Sequence, residues 1–337
     1  MGGWTLGIES TAHTLSFGLV DSEGTPYPAC SDTVRPDKGG IHPREAADHH
    51  KDIAYSLFNT LLEKYQLSPT DIGTVAFSQG PGLGPCLRVG AALARGISSR
   101  LSVPLVGVNH CVAHIEIGRQ QCGCNDPVLL YVSGGNTQVI AHLDGRYRVL
   151  GETLDIGIGN MLDKFARTQG IPFPGGPVIE KRAAEWLELQ DNPSLDGLEL
   201  PFAVRGMDLA FSGVMTAAQR LIENGAEFGA VCWSLQEHAF AACVEVAERA
   251  LAHTGKNELL LGGGVACNNR LRTMCEQMAE ERESTSHAPP RMYCIDNGTM
   301  IALLGKLELE NGRHTPYDES GVEQYLRTDQ TQVTWAV

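Results

Sequence analysis

Two histidines four residues apart, His110 and His114, follow the apolar residues 103–108 at the predicted start of a helix. Residues four apart lie on one face of a helix, about 6 Å apart along its axis, so both imidazoles can bind one metal ion. A structural pair without a metal fits the same spacing equally well. A metalloprotease helix of this kind carries a glutamate directly after the first histidine as general base. Cys111 occupies that position, which disfavours a peptidase.

Three glycine-rich turns are associated with predicted strands. Their sequences are QGPGLGP at residues 79–85, SGGNT at residues 133–137 and LLLGGGV at residues 259–265. We expect the glycines of residues 79–85 to leave backbone amides uncovered. Turns of this kind direct several N–H groups toward one point and bind phosphate oxygens there. One turn is weak evidence, but three turns in two similar halves favour a nucleotide-binding cleft.

Three carboxylates are candidates for ligand contacts or helix caps. Asp163 and Glu180 belong to a predicted helical region, and Asp296 lies between a predicted short strand and a predicted helix at residues 300–310. Each carboxylate could cap or solvate a helix, and Asp296 could be the N-cap of the helix that follows it. Asp163 and Glu180 could alternatively accept hydrogen bonds from hydroxyl or amine groups of a bound ligand.

The elements that would position these residues alternate between strands and helices. Residues 5–20 predict a hairpin around a polar turn, and residues 42–65 predict a helix opened by Pro43. Further strands are predicted at residues 75–78, 103–108, 128–132 and 138–142, and further helices at residues 88–100 and from about residue 270. This alternation is typical of the α/β class.

Length and composition set broad limits on the protein. A chain of 337 residues with 42% hydrophobic content can bury two medium-sized cores. The ten cysteines are scattered, as expected for reduced thiols, and only Cys122 and Cys124 are closely spaced. We find neither a signal sequence nor an apolar run of about 20 residues, so we expect a soluble, cytoplasmic protein without a membrane partner.

The formal net charge of −14 argues against nucleic-acid binding when it is taken alone. Phosphate backbones require positive potential where they bind. If the protein acts on RNA, either a local basic patch contacts the RNA or partner subunits neutralise much of the phosphate charge.

Six segments together resemble one family, the tRNA N6-threonylcarbamoyladenosine synthases. These are the catalytic subunits of the KEOPS complex in archaea and eukaryotes, and an older label calls them O-sialoglycoprotein endopeptidases. The resemblance runs from about residue 6 to residue 335. The segments are GIESTAHT at residues 7–14, SQGPGLGP at 78–85, GVNHCVAH at 107–114, YVSGGNT at 131–137, GMDLAFSG at 206–213 and DNGTMIA at 296–302.

The resemblance implies an α/β fold of two tandem actin-like, sugar-kinase-like and Hsp70-like (RNase H-like) domains with a ligand cleft between them. We place the N-terminal domain at residues 1–126 and the C-terminal domain at residues 127–337. A helical insertion is expected around residues 151–235. The last segment of the chain could pack back on the N-terminal domain.

The resemblance also implies the site residues. One metal ion, iron or zinc, would be bound by His110, His114, Tyr131 and Asp296. An adenine nucleotide would contact ten residues, namely Tyr131, Val132, Ser133, Gly134, Gly135, Asn136, Asp163, Gly176, Glu180 and Asn268. Two imidazoles with a phenolate and a carboxylate form a mixed ligand set that suits zinc or iron better than magnesium.

The implied reaction transfers a threonylcarbamoyl group from threonylcarbamoyl-AMP to N6 of the adenine beside the tRNA anticodon, with release of AMP. Glu9 and His13 are candidates for orienting groups or for a proton relay. The implied partners are tRNA, a separate small protein kinase or ATPase, and other small KEOPS subunits.

Three alternatives remain open at this stage. A small-molecule kinase of the same fold would use Asp163 or Glu180 as its base, and an actin-like or chaperone-like scaffold would hydrolyse ATP slowly. Both leave the four metal ligands without a role. A metallopeptidase is the third alternative.

Overall fold

The structure, a computed structural model, describes residues 3–34 and 42–335. Its strands are β1 Trp4–Glu9, β2 Thr14–Val20, β3 Pro26–Thr33, β4 Ile72–Gly80, β5 Leu105–Asn109, β6 Val128–Val132, β7 Thr137–Leu143, β8 Arg146–Glu152, β9 Val204–Arg205, β10 Asp208–Leu209, β11 Glu258–Gly262 and β12 Thr285–His287. Its α-helices are α1 Pro43–Tyr65, α2 Gly84–Leu101, α3 His110–Cys122, α4 Ile158–Thr168, α5 Gly176–Leu187, α6 Ser212–Glu223, α7 Phe228–Thr254, α8 Asn269–Glu281, α9 Arg291–Cys294 and α10 Gly298–Glu310.

Two five-stranded sheets have the same strand order. The first sheet is ordered β3-β2-β1-β4-β5, and the second is ordered β8-β7-β6-β11-β12. In both sheets the first three strands along the chain are antiparallel and the last two are parallel to the first. The structure therefore consists of two related α/β halves. The predicted boundary between residues 126 and 127 lies in the loop between α3 and β6, and it remains a prediction.

The central strands are buried on both faces because helices cover both faces of each sheet. Every residue of β2 and of β6 is buried. The sequence of β6, VLLYV, is continuously apolar, as expected for a strand covered on both faces, whereas β2 also buries the polar residues Thr14 and Ser16. The edge strands β3 and β8 are partly exposed and more polar. A search of the sequence for apolar segments therefore does not find such edge strands.

Helix α3 lies between the two sheets. The side chain of Asn109 caps its N-terminus by accepting hydrogen bonds from the N–H groups of Cys111 and Val112. Every residue from His110 to Gly118 is buried. The core around α3 includes Val106 from the first sheet and Leu260 from the second, so one helix touches the cores of both halves.

Helix α10 packs directly against the first sheet. A Cβ atom added to Gly18 would lie 2.0 Å from the backbone nitrogen of Thr299, so only glycine permits this approach. The prediction of a short strand before Asp296 is wrong, because residues 291–294 form the one-turn helix α9. Pro290 precedes that turn, and its carbonyl accepts hydrogen bonds from the N–H groups of Tyr293 and Cys294.

The segment between β8 and α7 contains the helices α4, α5 and α6 and the two-stranded hairpin β9–β10. After α10 the chain returns to the first half, where the N–H of Thr315 donates to the carbonyl of Leu105. It then reaches the second half, where the N–H of Val333 donates to the carbonyl of Gly145. Among the helices of the described residues, none is long and apolar enough to cross a membrane.

Candidate metal centre and nucleotide cleft

The side chains of His110, His114, Tyr131 and Asp296 converge at one point between the two halves. Nε2 of His110 lies 3.2 Å from the Tyr131 hydroxyl and 3.5 Å from Oδ1 of Asp296. Nε2 of His114 lies 3.2 Å from the same Asp296 oxygen. The candidate ligand atoms of the two histidines and Asp296 all lie within 4.8 Å of one another. One cation could therefore contact all three side chains, with the phenol of Tyr131 beside it.

Different elements position these four groups. The histidines lie on the first turns of α3, Tyr131 lies in β6, and Asp296 lies in the short connection before α10. Both histidines and Tyr131 are buried, whereas the Asp296 side chain is 22% exposed and faces the cleft. The cap of α10 is Asn297, whose side chain accepts a hydrogen bond from the N–H of Met300. The N-cap interpretation of Asp296 is therefore wrong, and its carboxylate is left to contact the histidines.

Glu9 lies behind His110 and is fully buried. Its Oε2 atom is 2.9 Å from Nδ1 of His110, and its Oε1 atom accepts a hydrogen bond of 2.6 Å from the N–H of Thr11. Since Nδ1 of His110 faces Glu9, Nε2 is the nitrogen that faces Tyr131 and Asp296. This arrangement, a carboxylate bonded to the far nitrogen of a histidine, is typical around bound metals. Nδ1 of His114 has no hydrogen-bond partner among the residues that the structure describes.

Buried charges shift the pKa values in this cluster. Burial disfavours the charged imidazole of His110, but the negative charges of Glu9 and Asp296 outweigh it and raise its pKa to about 9. Burial lowers the pKa of His114 and raises that of Tyr131 well above its usual value. Burial also opposes ionisation of Asp296, but the two histidines lower its pKa overall. The two carboxylates thus attract positive charge to the centre of the cluster.

A cleft of about 1020 Å³ opens beside this cluster. Residues from both halves line it, including Thr11, His13, His110, Tyr131, Ser133, Gly134, Gly135, Asn136, Asp163 and Asp296. The ring of His13 packs edge-on against Phe173, with centroids 5.2 Å apart. Cavities of this size accept ligands as large as nucleotides.

The turn between β6 and β7 presents its backbone to the cleft. The N–H of Ser133 donates to the carbonyl of Asn136, which closes the turn, and Cβ atoms added to Gly135 would meet nothing within 4 Å. The carbonyl oxygens of Ser133 and Gly134 instead accept hydrogen bonds from the first turn of α4. The N–H groups of Gly134 and Gly135 donate no hydrogen bond within the described part of the chain. They are free to bind an anion.

Comparison with known families identifies the group to which this architecture belongs. A family model described as TsaD: tRNA N6-adenosine threonylcarbamoyltransferase matches residues 29–303. The chain belongs to this family. The resemblance inferred from the sequence segments is therefore confirmed.

Curated relatives of this transferase family are similar over nearly the whole chain. A probable bifunctional tRNA threonylcarbamoyladenosine biosynthesis protein of Thermoplasma volcanium is 49% identical over 332 residues, which is 98% of this chain and 61% of the relative. The chain spans about 60% of the length of the curated relatives that it matches.

Solved structures confirm the predicted actin-like α/β fold. HypF of T. kodakarensis superposes with a TM-score of 0.61 at 16% identity, covering 92% of this chain and 48% of HypF. Component A of (R)-2-hydroxyglutaryl-CoA dehydratase from Acidaminococcus fermentans superposes with a TM-score of 0.56 at 12% identity. That match covers 94% of this chain and 99% of component A, so it includes both halves.

The remaining nucleotide-contact residues that the resemblance predicts fall into two groups. Oδ1 of Asp163, which faces the cleft, accepts hydrogen bonds from the N–H groups of Gly175 and Gly176 at the start of α5. Burial raises the pKa of this carboxyl group despite these bonds. Asp163 therefore caps the start of α5, and it also lines the cleft.

The second group does not line the described cleft. Oε1 of Glu180 accepts a hydrogen bond of 2.7 Å from the N–H of Asn269. The side chain of Asn268 caps α8 and donates to Oε1 of Gln236, and Val132 is fully buried in β6. Glu180 and Asn268 thus stabilise the start of α8. Their contact with a ligand remains a prediction.

The turn at residues 79–85 differs from expectation, because its amides are not uncovered. The N–H of Gly82 donates to the carbonyl of Gln324, and the N–H of Leu83 donates to the carbonyl of Thr11. A Cβ atom added to Gly80 would lie 1.9 Å from the carbonyl oxygen of Glu323. The glycines of this turn permit close backbone packing instead of phosphate binding.

Sequence reasoning missed the contribution of the C-terminal segment to the cleft. Residues 324–328 line it, and Tyr325 is 89% exposed there. The side chain of Asn109 donates to the carbonyl of Arg327, which joins this segment to the start of α3. The segment QYLRT carries no recognisable motif, so only the packing of the chain reveals its position.

Proposed function

We propose that this chain transfers the threonylcarbamoyl group from threonylcarbamoyl-AMP to N6 of the adenine at position 37, next to the anticodon, in tRNAs that read codons beginning with A. The convergence of His110, His114, Tyr131 and Asp296 beside the Ser133 turn is the observation that carries the proposal. Membership of the transferase family supports the same reaction. We also propose that the reaction takes place in the cytoplasm, because the proposed substrate is tRNA.

The donor atoms of the cluster fit one zinc or iron ion. Two imidazole nitrogens, a phenol oxygen and a carboxylate oxygen lie within reach of a common point, and the carboxylates of Glu9 and Asp296 attract positive charge to it. Mixed nitrogen and oxygen ligands suit zinc or iron. When bound, such an ion would supply a Lewis acid that balances the charge of an adenylate.

The residues of the chain would hold the adenylate in the cleft. The free N–H groups of Gly134 and Gly135 are available to its phosphate oxygens, where charge grows as AMP leaves. Asp163 also lines the cleft and could accept hydrogen bonds from hydroxyl or amine groups of the substrate. We include Gly176, Glu180 and Asn268 in the nucleotide site, and their hydrogen bonds lie at the starts of α5 and α8.

In the reaction a bond forms between N6 of adenine and the carbamoyl carbon, and the bond from that carbon to the phosphate oxygen breaks. AMP leaves with the bonding electron pair, and one proton leaves N6. His13 lines the cleft and is our candidate to accept that proton. Glu9 is buried behind His110, so we assign it an orienting role instead.

The mouth of the cleft offers a local surface for RNA. Lys164 and Arg167 on α4 line it, and both are exposed and form no ion pair with another described residue. The exposed ring of Tyr325 lies on the same cleft and could stack on an unpaired base. This patch is small beside the net charge of −14, so we propose that a small protein kinase or ATPase and other small KEOPS subunits help to hold the tRNA.

The decisive experiment is incubation with threonine, bicarbonate, ATP, a threonylcarbamoyl-adenylate-forming enzyme, partner subunits and unmodified tRNA. Digestion of the tRNA and nucleoside analysis then measure threonylcarbamoyladenosine. We expect the modified nucleoside with the wild-type chain and its loss with His114→Ala. An unmodified tRNA pool with folded, metal-loaded wild-type protein would refute the proposal.

The kinase alternative finds less support in the geometry. Glu180 is bonded to the backbone at the start of α8 and does not line the described cleft. Asp163 faces the cleft but is bonded to the start of α5. A kinase would also leave the cluster around His110 without a role.

A further inference from the structure

A second group of metal-ligating side chains lies at the opposite end of α3. It consists of Cys124, Glu258 and His287, whose candidate ligand atoms all lie within 4.8 Å of one another. Cys122 adjoins it, because its thiol is close enough to that of Cys124 for each thiol to shift the pKa of the other. We call the group of His110, His114, Tyr131 and Asp296 the first cluster. Helix α3 runs from His110 to Cys122, so the second group lies about 18 Å along the helix from the first cluster.

The group brings together three separate parts of the chain. The cysteines lie at the end of α3 and just after it, Glu258 begins β11, and His287 ends the edge strand β12. Cys124 is buried, and the other three side chains are partly exposed. A solvated ion can therefore reach the group.

The neighbours of Glu258 and His287 hold them in orientations that suit metal binding. Oε2 of Glu258 accepts hydrogen bonds of 3.0 and 2.9 Å from the N–H groups of Asn125 and Asp126. Oε1 of Glu258 has only a longer contact of 3.4 Å with Asn125. Nε2 of His287 lies 2.9 Å from the hydroxyl of Thr285. A ring that donates from Nε2 to this hydroxyl carries its lone pair on Nδ1.

The donor types select the metal. Two sulfurs, one imidazole nitrogen and one carboxylate oxygen favour a soft or borderline ion over magnesium or calcium. Zinc takes four such ligands in closed tetrahedral sites, where Zn–S is about 2.3 Å and Zn–N about 2.0 Å. Ligand atoms in that geometry are ~3.3–3.8 Å apart, which rotations of these side chains can reach.

We propose that Cys122, Cys124, Glu258 and His287 form a structural zinc site. It would tie the C-terminal end of α3 to the edge of the second sheet. Helix α3 carries the two histidines of the first cluster at its other end, so the two metal sites together would fix both ends of one helix relative to the second half.

Cobalt(II) titration of the reduced, metal-free full chain tests this site separately from the first. Thiolate ligands give cobalt(II) a charge-transfer band in the near ultraviolet, whereas the first cluster contains no thiol. We expect this band to saturate at one equivalent of the thiolate-bound ion per chain and to disappear when zinc is added.

Matched variants identify the ligands. Cys122→Ser and Cys124→Ser should each abolish or greatly reduce the band, and His287→Ala, at a partly exposed position, should weaken cobalt binding at least tenfold. Cys243→Ser, which removes a thiol buried in α7, should leave the band unchanged. Circular dichroism and thiol titration verify that each variant is folded and reduced.

Three results would overturn the proposal. They are the absence of the thiolate band in reduced wild-type protein, its persistence in the Cys122→Ser, Cys124→Ser double variant, and a disulfide between these two cysteines in protein purified without reductant under anaerobic conditions.

Discussion

The carboxylate of Glu9 lies 2.9 Å from Nδ1 of His110, although 101 residues separate them in the chain. The contact leaves Nε2 of His110 facing Tyr131 and Asp296. We expect Glu9→Gln to weaken zinc binding at the first cluster by roughly 10- to 100-fold, because the ring loses the charged group that orients it. Competition with a chelator measures this affinity. Glu23→Gln, at an exposed position, is the control, and equal affinities in both variants would contradict an orienting role for Glu9.

The amide of Gly134 should matter for transfer and little for folding. Gly134→Pro removes one N–H that donates no hydrogen bond within the described residues, but it keeps the carbonyl that accepts from the N–H of Asn160. Loss of one oxyanion-type donor costs about 3 kcal/mol, so we expect the single-turnover transfer rate to fall roughly 100- to 1000-fold. Gly96→Ala, at an exposed position of α2 with no atom within 4 Å of the new Cβ, should react at the wild-type rate. A folded Gly134→Pro variant with full activity would show that the turn has no catalytic role.

The packing of α10 on the first sheet should control the position of Asp296. In Gly18→Ala the new Cβ would lie 2.0 Å from the nitrogen of Thr299, so α10 must move. Overpacking of this kind costs about 1–3 kcal/mol of unfolding free energy. Because Asp296 lies two residues before α10, zinc affinity at the first cluster should fall as well. Urea denaturation and chelator competition measure the two effects, and a destabilised variant with unchanged affinity would disprove the link.

Glu308 on α10 should make stability depend on pH. Burial raises the pKa of this carboxyl group to about 7, only partly offset by Arg313, from a usual value of 4.5. Because the pKa is raised on folding, the stabilisation is complete below about pH 4.5 and is lost as the pH rises toward 7. The shift corresponds to about 3 kcal/mol.

The variant Glu308→Gln isolates this effect from other titrations. The free energy of unfolding of the wild type minus that of Glu308→Gln should decrease by up to about 3 kcal/mol between pH 4.5 and pH 8. Urea denaturation at several pH values measures it. A difference that stays constant with pH would show that Glu308 has an ordinary pKa in the folded protein.

Much of the fold follows from local patterns. The predicted helix at residues 42–65 differs from α1 by one residue, because Pro43 marks its start. In the two five-stranded sheets, β3, β8 and β12 lie outside the predicted strands. The first two are partly exposed and mixed in polarity, and β12 has only three residues. These segments become strands because they pair with neighbouring strands, and the local sequence does not encode that pairing.

Some features of the candidate site also follow from the local sequence, whereas others depend on how distant segments pack. The spacing of His110 and His114 indicated a shared helix face, because four residues complete about one turn. The approach of Tyr131 and Asp296 was inferred only from the family resemblance, since it depends on how distant segments pack. The contact between Glu9 and His110 and the covering of the turn at residues 79–85 by Gln324 also depend on long-range packing.

The central claim is that His110, His114, Tyr131 and Asp296 act as one set of metal ligands. Burial raises the pKa of Tyr131 well above its usual value, so the phenol is protonated when no metal is bound. Zinc titration of metal-free protein, followed by ultraviolet difference absorption, therefore tests the claim most directly. We predict a tyrosinate signal at one equivalent per chain that is absent in Tyr131→Phe and retained in Tyr147→Phe. A wild-type protein that binds zinc at this cluster without the signal, or a signal that persists in Tyr131→Phe, would contradict the account.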